Sequence, residues 1–378
     1  MDQENLERKG SAGTGGEHGH GGGIADRPTQ NPAESMRETE LVTKSGVAQM
    51  AALTQLRYRL ADYPAAVATI SFLGVFLFFS IFAENFVKPI AIANILTFAS
   101  ITGILVIGVG MLMISGEFDL SVGSTFAVAS YVFALSLNAE IAPIPALLLA
   151  LLVSAGLGLI NGLIVIGTGI PSFITTLGTM LAYRGIARAI GGGDFATYAG
   201  DPPALFGFLN GSLDAVNQLF TPPSTFRVSI PWFILIAMVI SLILTRTQYG
   251  NWVFATGGNP GAALAQGVPV QRVKLINFML CGLWAGIASV MQFAHRTSVD
   301  PLRGEGTELI AVAACVIGGV RLTGGHGTIL GACVGILLLQ MLEQGLVLMQ
   351  IPVQIFQAVA GLILITAVIS NTYLGKPA

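Results

Sequence analysis

Between residues 65 and 370 the sequence is a succession of long apolar runs divided by short polar breaks. A helix that crosses the hydrocarbon core of a bilayer needs roughly 20 apolar residues. Ten stretches approach that length: 65–83, 91–114, 120–137, 144–167, 171–190, 230–245, 273–294, 309–320, 327–348 and 353–370. Of the 378 residues, 53% are hydrophobic and only 10% charged, where a soluble domain has about a quarter charged. That charge cannot cover the surface of a soluble chain of this length. An ordinary cytosolic enzyme, a disordered protein and a disulfide scaffold are excluded. The expected fold is an all-α polytopic membrane protein of about ten transmembrane helices. The sixth and eighth stretches are short, and a short or broken span needs protein or a cavity around its backbone.

The chain divides into a tail, 1–60, and a transmembrane domain, 61–378. The tail holds a glycine-rich stretch with His18 and His20, then Pro28 and Pro32, and eight acids within its first 40 residues. It has no apolar run to bury and is expected to be disordered. It also lacks the apolar core of a signal peptide. Two histidines without a further ligand nearby do not make a metal site, and none is expected elsewhere. Cys281, Cys315 and Cys333 fall inside apolar runs without CxxC spacing, and read as small packing residues. The net charge of −2 gives no sign of a nucleic-acid partner.

Lysines and arginines near the span ends set orientation. With an even count and the N-terminus inside, the inner side carries Arg57, Arg59, Arg246, Arg272, Lys274, Arg321 and Lys376. The outer side carries Lys88, Arg184, Arg188, Arg227, Arg296 and Arg303. The bias is small and favours both termini in the cytoplasm. It leaves one long loop outside, 191–229, and one inside, 246–272. An internal repeat is visible as well. Asn161-Gly162-Leu163-Ile164 precedes Ile170-Pro171, and Gln344-Gly345-Leu346-Val347 precedes Ile351-Pro352. Each lies between the last two spans of a half, on opposite sides of the membrane. Two inverted-topology halves, the usual build of a transport pathway, are expected.

No motif for covalent chemistry is present. There is no GxSxG, HExxH or GxxxxGK[ST], so the chain has no catalytic residues and hydrolyses no nucleotide by itself. Three stretches carry information instead. The first runs from Ser115 through Glu117, Asp119, Ser121 and Gly123 to Ser124. A charge at the membrane centre costs roughly 2.5–3.5 kcal/mol on insertion scales, so its two acids belong at an interface or in a polar cavity. Asp119 is placed to cap the third span, or to act in substrate passage or gating. The second, from Gly250 through Ala255, Gly257, Gly258, Asn259, Ala262 and Ala263 to Gly267, lies in the inner loop. A short helix capped by Asn259 with Pro260 at its first position is expected there. Its small residues suit a helix seated in a partner's cleft. The third holds Glu308 at the start of the eighth span, then Gly324, Gly325 and His326 in a loop. Asn161, Thr175, Thr176, Glu343 and Gln344 are neutral or acidic groups near the midplane that either meet a polar solute or join helices. Arg184 and Arg188 are expected to snorkel.

These stretches, in this order, resemble the ribose/xylose-type permeases of the carbohydrate uptake class of ABC transporters. The resemblance covers residues 86–370. It rests on the Gly-x-x-Asp-Leu-Ser-Val-Gly-Ser run ending at Ser124, on Thr176-Leu177-Gly178-Thr179 through Tyr183-Arg184-Gly185, on the Ala255-x-Gly-Gly-Asn259 loop, and on the Glu308-Leu-x-Ala-x-Ala-Ala run into paired glycines. It implies a ten-span permease subunit of the bacterial inner membrane that pairs with a second copy or a paralogue. A cytoplasmic sugar-type ABC ATPase, with ATP and magnesium on that partner, would drive it. A periplasmic or lipid-anchored solute-binding protein would deliver the solute. The 250–269 loop then corresponds to the ATPase-coupling segment, with Gly324, Gly325 and His326 as a second cytoplasmic contact. Asp119, Ser121, Ser124, Asn161, Glu308 and Gln344 are the candidates for the substrate pathway or its gating. The chain departs from the family's habits at Leu264, Ile310, His326 and Glu343-Gln344, which leaves the solute open. An ion-coupled secondary transporter is the competing class, because Glu117, Asp119, Glu308 and Glu343 are acids near helix ends.

Overall fold

The computed structural model describes residues 64–374. The 1–60 tail, with its expected disorder, and the charges at Arg57, Arg59 and Lys376 lie outside the described residues. Each expected span corresponds to one helix. The first half contains α1 (Pro64–Phe82), α2 (Pro89–Ile114), α3 (Val122–Asn138), α4 (Pro143–Thr168) and α5 (Ser172–Ile190). A linking segment follows, with β1 (Ala196–Thr197), α6 (Ala204–Asn210) and α7 (Asp214–Asn217). Next come α8 (Ser229–Arg246), α9 (Gln248–Gly258), α10 (Pro260–Ala265), α11 (Val270–Arg296), β2 (Ser298–Val299), α12 (Thr307–Ile317), α13 (Ile329–Leu348) and α14 (Val353–Leu374). Of these, α2, α4, α8, α11 and α13 are long and apolar enough to cross a membrane, and α3, α12 and 69–82 of α1 are shorter apolar helices. The protein is an all-α polytopic membrane protein.

Local chemistry sets the helix ends. Proline opens α2, α4 and α10, where its missing N–H costs nothing. Thr247 and Thr328 cap α9 and α13 by accepting the N–H groups of Gly250 and Gly331, which satisfies one orphan donor in each. Gly169 ends α4 in the left-handed region, the usual glycine stop.

Packing follows from which faces are small. Helix α2 is buried nearly all round and forms the centre of the bundle. On α4 the buried stripe is Ala146, Ala150, Ser154, Gly158, Asn161, Gly162 and Val165, while Leu148, Leu149 and Leu152 point outward. The stripe lies against α11 so closely that a Cβ on Gly158 would overlap the Phe278 carbonyl, and one on Gly282 the Ser154 carbonyl. Without a hydrophobic drive between helices in lipid, such close backbone approach is what holds them.

The contacts follow the repeat. Helices α2 and α11 pack on each other. Helix α4 lies on α11 while α13 lies on α2, and α3 packs on α11, α4 and α5 while α12 packs on α2, α13 and α14. Helices α1 and α8 break the pattern, since α1 packs on α13 and α8 on α2. One end of the bundle gathers 115–121, 168–172, 246–270 and 318–328. The opposite end carries β1 antiparallel to β2, with Ala196 opposite Val299 and Thr197 opposite Ser298.

Candidate functional site

At the first end, the two segments expected to meet an ATPase are joined to each other. Asn259 caps α10 as expected, its side chain accepting the Ala262 N–H at 3.0 Å. Residues 258–267 are exposed except Ala263, whose burial seats the helix on the bundle; Gly250, in the first turn of α9, is buried against the end of α8, and Ala255 is half-buried. The 321–327 loop lies alongside. Gly325 N–H donates to the Ile114 carbonyl at the end of α2, 2.8 Å away. A Cβ on Gly257 would overlap the Ile114 carbonyl oxygen. One on Gly324 would stand 2.6 Å from Gly116 Cα, and one on Gly325 2.5 Å from Gly258 Cα. Gly116, Gly324 and Gly325 also have positive φ, which disfavours other residues there. Three backbones therefore meet without side chains between them.

His326 is exposed beside this junction, and its carbonyl accepts the Arg321 N–H. Partial desolvation and then the Arg321 guanidinium push its pKa below the usual histidine value. Arg246, Arg272 and Arg321 are exposed at this end, and among the described residues no exposed acid accompanies them. Glu84, Glu140, Asp194, Asp201, Asp214 and Glu305 are exposed at the other end.

The pathway candidates divide into two groups. Asp119, Ser121 and Asn161 form a single buried network. Ser121 donates its N–H and Oγ to Asp119 Oδ1 at 2.8 and 2.6 Å, and Asn161 Nδ2 donates to Asp119 Oδ2 at 3.1 Å. Tyr183 Oη donates to Asn161 Oδ1 at 3.1 Å. Asp119 is 1% exposed. It is not the N-cap residue expected from the sequence. Ser121 occupies that position, and Asp119 takes Ser121's orphan N–H from two residues earlier. Ser124 Oγ donates to the Met180 carbonyl of α5. Glu117, also buried, pairs with Lys274 on α11.

Glu308 lies elsewhere. Its Oε1 accepts the Gly306 N–H, and its Oε2 is buried without a partner among the described residues. Gly123, in the first turn of α3, is where a Cβ would overlap both Glu308 Oε2 and the Gly304 carbonyl. Helices α3 and α12 run in from opposite ends, so their N-termini meet inside the bundle. Gln344, half-buried on α13 in the second repeat, does not join the Asp119 network. Arg184 does not snorkel: it is half-buried, and its Nη1 donates to the Arg303 carbonyl at 2.7 Å.

Sequence reasoning missed Lys274, Ser172 and Gly123 as partners. The available signal was that two buried acids demand donors. Lys274 lies just inside a span, four residues beyond the α11 start, where an unpaired ammonium is costly.

Most of the bundle, from near the start of α2 into α14, matches one family model. Residues 91–368 fit the family described as branched-chain amino acid transport system, permease component. The chain is similar to the ribose import permease protein RbsC of Bacillus subtilis strain 168, at 32% identity over 79% of this chain and 90% of the relative. It is similar to RbsC of Escherichia coli K12, at 31% over 77% and 88%. It also matches the autoinducer 2 import system permease protein LsrC of Yersinia enterocolitica, at 32% over 79% of both chains. No solved structure matches it. With the glycine junction, the capped surface helix and most of the apolar bundle inside the matched region, the chain belongs to this family of multi-pass transport permeases.

Proposed function

We propose that this chain is the membrane-spanning permease subunit of a binding-protein-dependent ABC importer for a sugar or related small polar solute. The observation that carries the reading is the joined surface of α10 and the 321–327 loop, set in a bundle whose relatives are named as import permeases. A separate cytoplasmic ATPase docks there and holds the ATP and magnesium. This chain contributes no catalytic group. The transmembrane domain spans 61–378, behind a cytoplasmic tail at 1–60. The protein sits in the bacterial inner membrane with both termini inside, pairs with a second permease copy or paralogue, and receives solute from a periplasmic or lipid-anchored binding protein.

Glu308, where the N-termini of α3 and α12 meet, is assigned to the pathway, a role that its buried, unpartnered Oε2 supports. The buried, internally satisfied Asp119 network favours gating over direct solute contact. Proteoliposomes holding the chain with its co-expressed ATPase and binding protein test the reading. Ribose, the solute named for two relatives, is the first to try, followed by a panel of small polar solutes. Uptake that needs ATP inside the ATPase's compartment and the binding protein outside supports it. Uptake by the chain alone under a proton or sodium gradient would overturn it in favour of secondary transport.

A further inference from the structure

We infer that residues 114–121 form a rigid crossbar that carries motion from the ATPase-docking surface to α5. The inference rests on the importer reading above and adds the route of transmission within this chain. The segment between α2 and α3 is only seven residues long, and almost every residue in it is tied to a different element. Ile114, at the end of α2, accepts a hydrogen bond from Gly325 in the 321–327 loop. Gly116 sits against Gly257 and Gly324, with no room for a side chain on the facing glycines. Glu117 pairs with Lys274 on α11. Phe118 N–H donates to Ser172 Oγ at 3.1 Å, and Leu120 N–H to Thr176 Oγ1 at 3.1 Å, both on α5. Asp119 is bound to Asn161 of α4, which Tyr183 of α5 binds in turn.

A loop that only joined two helices would leave its N–H groups to water. Here the first three are bonded back to α2 carbonyls, while those of Phe118 and Leu120 are given to side chains of α5, 54 and 56 residues away in sequence. One end of the segment is fused to the docking surface through backbone contacts that lack compliant side chains. Its other end is fixed to the start of α5. Phe173, Ile174 and Leu181 are exposed along one face of α5, so no described helix packs against it on that side. A displacement of α10 and the 321–327 loop is thereby passed to α5. Ser172, Thr176, Glu117 and Asp119 are positioning residues in this scheme. Ser172 and Thr176 fix the segment to α5, Glu117 fixes it to α11 and Asp119 to α4, and none need touch the solute.

Backbone hydrogen exchange on the intact importer in detergent tests this, with and without ATP plus vanadate to trap the closed ATPase pair. In the unsubstituted protein, trapping is expected to change exchange rates both in 321–327 and at the base of α5, by roughly fivefold or more, the range of ordinary coupling free energies. In Ser172→Ala with Thr176→Val, the 321–327 response should persist, which shows a folded and docked protein, while the α5 response collapses. An α5 response equal to the unsubstituted protein's, or no α5 response in that protein, would overturn the crossbar. Should the double variant not assemble, Ser172→Ala alone decides: it removes the Phe118 N–H contact and should diminish the α5 response while the 321–327 response persists. An undiminished α5 response there would also overturn the crossbar. If no ATPase binds the unsubstituted chain, the importer reading falls, and the crossbar with it.

Discussion

Gly257 and Gly258 are neighbours in sequence and opposites in tolerance. A methyl on Gly257 overlaps the Ile114 carbonyl, whereas the nearest atom to one on Gly258 is Gly325 Cα at 3.8 Å. Gly257→Ala is expected to cost about 1–3 kcal/mol, as overpacking does, and Gly258→Ala to leave the melting temperature of the purified protein unchanged. Equal melting temperatures for the two variants would contradict the junction. In the sequence alone the pair is equivalent, since both read as small residues in a coupling loop. The Asn259 cap was legible because an Asn-Pro pair acts over three residues. The Glu117–Lys274 pair was not, because its partners are 157 residues apart and no local pattern links them. The same holds for Asp119. Its need for donors could be read from its position in an apolar chain, but not their identity.

The helices themselves were legible because each is an apolar run, five of them long enough to cross a membrane, with several bounded by proline, glycine or a capping hydroxyl. How they meet was legible only in part. The Asn-Gly and Gln-Gly echoes pointed to repeat-related α4 and α13, and the packing of α4 on α11 and of α13 on α2 fits that pairing. The meeting of the α3 and α12 N-termini had no sequence signal, since acids at helix starts read equally well as surface caps. The α4–α11 contact gives a clean comparison. Gly158 abuts the Phe278 carbonyl, whereas a methyl on Gly156, half a turn away, would have nothing within 4 Å. Gly158→Ala should lower thermal stability by about 1–3 kcal/mol. Gly156→Ala should raise it slightly, by about 0.5–1 kcal/mol, from the helical preference of alanine. Thermal unfolding in detergent, read by the same assay for both, checks the sign of each.

On the scale of the whole molecule, the exposed acids of the described residues collect at one end, and the end proposed to dock the ATPase exposes Arg246, Arg272 and Arg321. That asymmetry suits an acidic partner groove. Leu264, 56% exposed on α10, tests it without disturbing the bundle. Leu264→Glu should leave stability unchanged and weaken retention of the ATPase by about tenfold, the loss of roughly 1.4 kcal/mol of binding. Undiminished retention at high and low salt would contradict the assignment of α10 to the interface. The most direct measurement of the central claim is capture of the tagged chain from native membranes in mild detergent, with its partners identified by mass. The account predicts a co-purifying two-domain ATPase. A chain that emerges alone, and transports in liposomes under an ion gradient, would contradict it.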